Sequence, residues 1–307
     1  MNCVAKPSAL ELHHFQFDAM GGPNEIQLYA DSLEQAQEWA AAAIYDVKRI
    51  EGKYSRYRED SLLAEIHSTA GKTPIKVDEE TTALLNYAQT CYNESDGRFD
   101  VTAGILRRIW DFKSAVVPSQ SQIDEILPLI GWNRVKWNPP ELFLPLPEME
   151  IDFGGFGKEY AVDHAAGVLE QLGVLHGFVN LGGDIRILGP HPDGNAWNIG
   201  IAHPRLPGDV LTAVQLCSGS LATSGDYERY FEHNGVRYSH ILDAKSGWPA
   251  RGFQSVSIMA ESCLVAGSFA TIAMLLGKKR GKKLLRQLRR PHIVVLDGGS
   301  VINRSDD

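Results

Sequence analysis

The sequence predicts an α+β protein, and three observations carry that expectation. Residues 15–30 alternate, turn and resume as a hairpin does. Stretches of helical apolar spacing occupy 32–52, 78–95 and 158–172, and a series of short strand-like runs follows between 177 and 259. With 307 residues, 44% hydrophobic and 22% charged, the chain can bury one large core or two modest ones.

Taken in order, Phe15-Gln-Phe-Asp-Ala-Met-Gly-Gly-Pro alternates and then turns, and Asn24 to Ala30 forms the returning strand. Leu33, Ala36, Ala40, Ala43, Ile44 and Val47 then recur at helical spacing behind Ser32 as N-cap, so a helix is expected over 32–52. A second is expected over 78–95. Pro139-Pro140 and Pro145 to Pro147 punctuate the middle, and residues 149–153 suggest a short strand entering a glycine turn. A helix over 158–172 should end at Gly173. Residues 177–188 suggest one strand interrupted by Gly182-Gly183, followed by strands at 197–201, 211–216, 238–242 and 254–259 and a helix at 264–276. Eight of the thirteen residues from Lys278 to Arg290 are basic, interleaved with leucines; this is the pattern of a helix with one solvated basic face, or of a contact for an acidic partner.

Net charge is −8 with a pI near 5.7, and no basic stripe interleaved with aromatics appears, so no nucleic-acid partner is expected. Cys3, Cys91, Cys217 and Cys263 lie far apart without zinc-site spacing and suggest buried thiols. No stretch approaches the roughly 18–20 apolar residues of a membrane span, and Met1 to Phe15 lacks an apolar run, so a cytoplasmic protein away from membranes is expected.

Several short motifs have chemical content. Asp152-Phe-Gly-Gly-Phe-Gly-Lys158 sets three glycines before a helix, where backbone N–H groups can face an anion; the same residues also suit a tight turn with a surface lysine. It is not a Walker A loop. Asn180-Leu-Gly-Gly-Asp184 permits close backbone approach to a ligand or caps a turn, and Thr223-Ser-Gly-Asp-Tyr227 offers two hydroxyls beside a glycine or a simple turn. In Tyr238-Ser-His240-Ile-Leu-Asp243, His240 and Leu242 share one face of the expected strand, ahead of the turn Lys245-Ser-Gly-Trp-Pro249 that Asp243 can cap. Serine-hydrolase, zincin and protein-kinase signatures are lacking.

Together with Ala19-Met20-Gly21, Ser55-Arg-Tyr57 with Ser61, and Phe99-Asp100-Val-Thr102, these motifs stand in the order of the ApbE family of FAD:protein FMN transferases, which the chain resembles over roughly residues 15–280. The resemblance implies a single T-fold-like unit of antiparallel sheets flanked by helices, with an FAD cleft. On that basis the chain divides into a tail at 1–14, a flavin transferase domain at 15–290, and a C-terminal strand and tail at 291–307. Met20, Tyr57, Arg98, Phe99, Asp100, Asp152, Lys158 and Leu242 are implied to line the FAD site, with His240 near the reacting phosphate. Implied Mg2+ ligands are the Gly155 backbone, position 267 and Thr271.

Three positions depart from the family pattern. Gly267 stands where an aspartate is usual, Glu159 where a glycine follows the lysine, and Gly22-Pro23 where a threonine follows Met20-Gly21. Glycine at 267 removes the main anionic ligand of a magnesium ion. Asp243, Asp226 or Glu159 can supply the missing oxygen, or Lys158 and Arg229 can neutralise the pyrophosphate without a fixed metal. The expected activity attaches FMN from FAD to a Ser or Thr of an acceptor flavoprotein and releases AMP. His240 or Asp243 takes the hydroxyl proton, and Lys158 offsets developing charge. FAD hydrolysis to FMN and AMP, or FAD binding and delivery without transfer, are the alternatives.

Overall fold

The computed structural model describes residues 10–304. It begins with strands β1 (Glu11–Ala19) and β2 (Gly22–Ala30), whose two-residue turn places Met20 at φ 55° and Gly21 at φ 81°. Positive φ at both central residues gives the twist that a tight hairpin needs. Ser32 then accepts a hydrogen bond from the Gln35 N–H and starts α1 (Leu33–Lys53), which buries Ala36, Ala40, Ala43, Val47 and Ile50 along one stripe. Next come α2 (Leu62–Ser68), the short β3 (Ile75–Lys76) and α3 (Glu79–Glu94), the last capped by Asp78. A 3-10 segment, Val101–Arg108, leads to α4 (Gln120–Ile126) and the small strands β4 (Lys136–Asn138) and β5 (Glu141–Phe143).

The second half supplies α5 (Gly157–Gln171), the hairpin of β6 (Gly177–Leu181) with β7 (Asp184–Gly189), and a second hairpin of β8 (Trp197–Ala202) with β9 (Val210–Leu216). It continues with β10 (Gly219–Gly225), β11 (Tyr230–His233), β12 (Val236–Ser239) and β13 (Phe253–Ala260). The long α6 (Cys263–Leu288), kinked at Gly277, and the strands β14 (His292–Leu296) and β15 (Val301–Arg304) complete it.

Eight strands form one antiparallel sheet in the order β1-β2-β6-β7-β10-β13-β14-β15. Helices α1, α5 and α6 pack together against it, with Ile26, Val179, Val256, Ala165 and Ile272 among the buried residues between the layers. A separate core holds Phe178, Ile187 and Leu221 of the sheet against Trp197, Ile199 and Ile201 of the β8–β9 hairpin. A third gathers Trp110, Phe231 and Tyr238 under the β11–β12 hairpin. Among the described residues no helix is long and apolar enough to cross a membrane.

The α+β expectation and its helices hold, while several strands differ. Residues 149–153 are extended but form no strand: the Ile151 N–H and C=O both lie 2.9 Å from His67 Nε2, and the Asp152 N–H donates to the Val101 carbonyl at 2.8 Å. His67 Nε2 serves one of the two Ile151 groups, according to its tautomer, and the Val101 carbonyl takes the Asp152 N–H, so this backbone is met by loop and side-chain partners rather than a ladder. Gly182-Gly183 does not interrupt one strand; at φ 57° and 94° it reverses the chain between β6 and β7. The strand expected at 238–242 ends at Ser239, and only the Leu242–Pro249 bridge continues the pairing. β10, read as turn-like at Thr223-Ser224-Gly225, is instead a central strand. β1 starts at Glu11, and strands β14 and β15, in the C-terminal segment expected to hold a strand and tail, pair into the main sheet. Cys91 and Cys263 are buried thiols, but Cys217 is exposed in the β9–β10 turn; Cys3 lies outside the described residues.

Candidate active site

A cleft of about 730 Å³ opens beside the β1–β2 turn, within the size range of small-molecule sites. Met20, Tyr57, Arg98, Phe99, Asp100, Asp152, Lys158, His240 and Leu242 all line it, as do Gly155 and Thr271. Asp243 does not. Residues distant in sequence are brought together because the β1–β2 turn, the start of α5 and the β6–β7 turn meet at one end of the layered structure.

The start of α5 is built to meet an anion. Phe156 is its N-cap and offers no side-chain acceptor; the Gly157 N–H is taken by the Phe153 carbonyl at 2.6 Å, and no N-cap side chain covers the N–H groups that follow it beside the cleft. The preceding turn requires its glycines for space. A Cβ on Gly155 would fall 2.7 Å from Phe99 Cζ, and one on Gly154 would fall 3.0 Å from Asp152 Oδ1. The Phe99 ring is stacked on Phe156 and cannot retreat freely. Gly155→Ala is therefore expected to cost about 1–3 kcal/mol through overpacking, read as a lower urea midpoint. An unchanged midpoint would show that the ring yields.

Lys158 Nζ sits 2.8 Å from Asp184 Oδ2, at the floor of the same end. Burial pushes the Asp184 carboxyl up while Lys158 pulls it down, and the lysine is held well above its ordinary value. At this separation the pair is ionised, so Lys158 is a fixed positive charge. Arg107 and Arg229 also face the cleft, and neither guanidinium makes an ion pair or side-chain hydrogen bond among the described residues. Both act on His240: burial first, then the Arg107 and Arg229 charges, bring its imidazole down to about 4. His240 is thus neutral at neutral pH. Its Nδ1 lies 3.3 Å from the Arg229 carbonyl, which can only accept, so Nδ1 carries the proton and Nε2 keeps its lone pair.

Three expected site carboxylates are engaged by the protein itself. Asp152 Oδ2 meets Arg56 at 2.5 Å and Oδ1 accepts the Gly154 N–H at 2.8 Å, so it shapes the glycine turn. Asp100 accepts from the Thr102 N–H and hydroxyl and from the Trp132 N–H, tying the 3-10 segment to a neighbouring loop. Asp243, expected as a proton acceptor, is ion-paired to Arg98 and accepts the Lys245 N–H at 3.0 Å. These contacts make it the cap of the 243–249 turn and set it behind Arg98, outside the lining of the cleft. Tyr57 is 80% exposed at the rim, with the Arg56 guanidinium over its ring.

Position 267 has a steric explanation. A Cβ on Gly267 would fall 2.4 Å from Glu159 Oε1, so the Glu159 side chain already fills that space. Glu159 is 7% exposed and lines the cleft, and burial raises its carboxyl well above the usual range. Thr271 shares a 2.6 Å hydrogen bond with the Ser224 hydroxyl. Among the described residues no group of three or more His, Cys, Asp or Glu is placed to hold a metal. A backbone carbonyl, a hydroxyl and one carboxylate are nevertheless the hard oxygen donors that magnesium takes.

Arg56, Arg107 and the Asp184 partnership of Lys158 escape sequence reasoning. Arg56 stood inside the quoted Ser55-Arg-Tyr57 motif and was the one with a usable signal. Arg107 has none, being one of two adjacent arginines at the end of a 3-10 segment.

This fold and site define an α+β protein whose cleft joins a glycine turn, a helix start and a cluster of cationic side chains. The chain belongs to the ApbE family, whose model matches residues 20–296. It is 30% identical over 256 residues to the FAD:protein FMN transferase of Vibrio cholerae, covering 81% of this chain and 77% of that protein. The corresponding Klebsiella pneumoniae protein is 31% identical over 275 residues, covering 87% and 84%. Among solved structures, the ApbE protein of Thermotoga maritima superposes with TM-score 0.88 at 33% identity, covering 96% of this chain and 97% of that one. The flavin transferase ApbE of Vibrio cholerae superposes at 0.83 and 27% identity, covering 97% and 98%.

Proposed function

We propose that this chain is an FAD:protein FMN transferase that esterifies a Ser or Thr hydroxyl of an acceptor flavoprotein with FMN and releases AMP. The observation that carries the proposal is the neutral His240, whose Nε2 has no described partner nearer than Glu228 Oε2 at 4.0 Å, beside Lys158 and the start of α5. The names and structures of the relatives point the same way.

In this reading the pyrophosphate lies against the N–H groups of α5 and the charges of Lys158, Arg107 and Arg229. The exposed Tyr57 ring offers a face to a flat heteroaromatic ring at the rim. The acceptor oxygen attacks the FMN-side phosphorus as the bridging P–O bond to AMP breaks. His240 Nε2 takes the hydroxyl proton, and AMP leaves with the bridging oxygen. Phosphoryl transfer depends on positioning and on cancelling charge spread over the phosphate oxygens, which is what the fixed cations provide. Magnesium belongs to the same reading, with the Gly155 backbone and Thr271 hydroxyl among its holders; when bound it would neutralise further pyrophosphate charge.

Incubation with FAD, magnesium and an acceptor domain, followed by flavin fluorescence on a denaturing gel and AMP quantification, tests this. Labelled acceptor with equimolar AMP is expected. AMP without label identifies hydrolysis, and neither product despite FAD binding identifies a carrier. Because His240 must be neutral to accept a proton, kcat/KM should fall as pH drops through about 4 and stay flat above it until another group titrates. An acid limb near 6.5, the ordinary histidine value, would remove His240 from this role.

A further inference from the structure

We infer that Glu159 supplies the carboxylate ligand of a divalent cation in the cleft, reaching from the first turn of α5 into the space beside Gly267 of α6. The inference deepens the transferase proposal and rests on it only for the choice of cation.

Glu159 is an acid whose placement the protein's own contacts do not account for. It is 7% exposed, and no other described residue donates a hydrogen bond to its side chain. Its sequence neighbour Lys158 is committed to Asp184 at 2.8 Å. Buried carboxylates are normally paired, hydrogen-bonded or bound to metal, because leaving one without compensation is costly. This one lines the cleft, so a ligand can reach it.

The surroundings select the ligand. A Cβ on Gly267 would approach Glu159 Oε1 to 2.4 Å, Cγ to 2.5 Å and Cδ to 2.8 Å, so the acid lies directly on the α6 backbone at that position. Thr271 follows one turn later on the same side of α6, about 6 Å along the axis, and also lines the cleft. Its hydroxyl is oriented by Ser224 Oγ at 2.6 Å. Gly155 lies on the same wall, four residues before Glu159, in the turn that leads into α5. A carboxylate, an oriented hydroxyl and a backbone carbonyl make an oxygen-only donor set, which suits a hard divalent cation that keeps some of its water.

Glycine at 267 is then the condition for glutamate at 159, and the two positions should behave as one unit. The test is Mn2+ titration followed by electron paramagnetic resonance, with and without FAD, on wild type, Glu159→Gln, Gly267→Asp and Glu159→Gly/Gly267→Asp, alongside Tm. Wild type should bind one Mn2+. Glu159→Gln should fold and bind at least about tenfold more weakly, since even outer-shell partners of a metal are worth 10–100-fold. Gly267→Asp alone should lower Tm, and the double variant should regain both Tm and Mn2+ binding by carrying the carboxylate from α6. Equal Mn2+ affinity of Glu159→Gln and wild type, or no binding by wild type in either condition, would overturn the inference. Failure of wild type to bind FAD counts instead against the transferase proposal, since the titration without FAD still tests Glu159.

Discussion

His240→Ala should lower FMN transfer by about 10²–10⁴-fold, the range a positioned general base contributes. FAD binding should survive, because in the proposed arrangement the start of α5, Lys158, Arg107 and Arg229 hold the phosphates rather than the imidazole. Saturating FAD at about a hundred times its Kd should still add about 2.7 kcal/mol of stability to the variant. Initial rates of acceptor fluorescence measure the first quantity and thermal shift the second. The effect is expected to be large because the Arg229 carbonyl fixes the tautomer and the neighbouring cations keep the ring neutral, with the Glu228 carboxyl, 4.0 Å from Nε2, the neighbouring acceptor. A rate within a few-fold of wild type would show that the acceptor hydroxyl loses its proton elsewhere.

Lys158→Met should be damaging twice over. Asp184 is 2% exposed, and removing one partner of a buried ion pair leaves the other charged and uncompensated, at about 3–5 kcal/mol. Lys158 is itself partly exposed, which favours the low end; about 3 kcal/mol corresponds to a fall in Tm of roughly 5 °C for a chain of this length. Transfer should also be lost with the fixed charge at the pyrophosphate. Lys158→Met/Asp184→Asn separates the two effects: removing the orphaned charge should restore most of the stability and none of the activity. Activity returning with stability would mean that Lys158 serves only to neutralise Asp184.

The helices were legible because their signals are local. Ser32 and Asp78 cap α1 and α3 with their own side chains, and the buried stripe of α1 follows the three-and-four spacing read from its sequence. β10 was not legible: Gly-Ser-Leu-Ala-Thr-Ser-Gly has few β-branched residues and every mark of a turn. It is a strand because β7 and β13 pair with it on either side and α6 packs against it. The extended 149–153 segment failed in the opposite direction, its ladder partners replaced by His67 and the Val101 carbonyl. At the site, the glycine turn, Lys158 and His240 announced themselves by residue type. Arg229 was named from the sequence, but Arg107 was not, because it meets His240 only when the end of the 3-10 segment reaches the cleft.

By itself the sequence determined a layered α+β chain, its family and the identity of an anion-binding helix start. These depend on periodicity, on glycines that alone fit a crowded turn, and on charges adjacent in the chain. Only the tertiary structure decided that Asp243 is ion-paired to Arg98, and that Glu159 occupies the space a side chain at 267 would need. Each of those outcomes is a through-space contact between residues more than a hundred positions apart. Contacts at that separation are set by how helices and sheet close on one another, which no local pattern encodes.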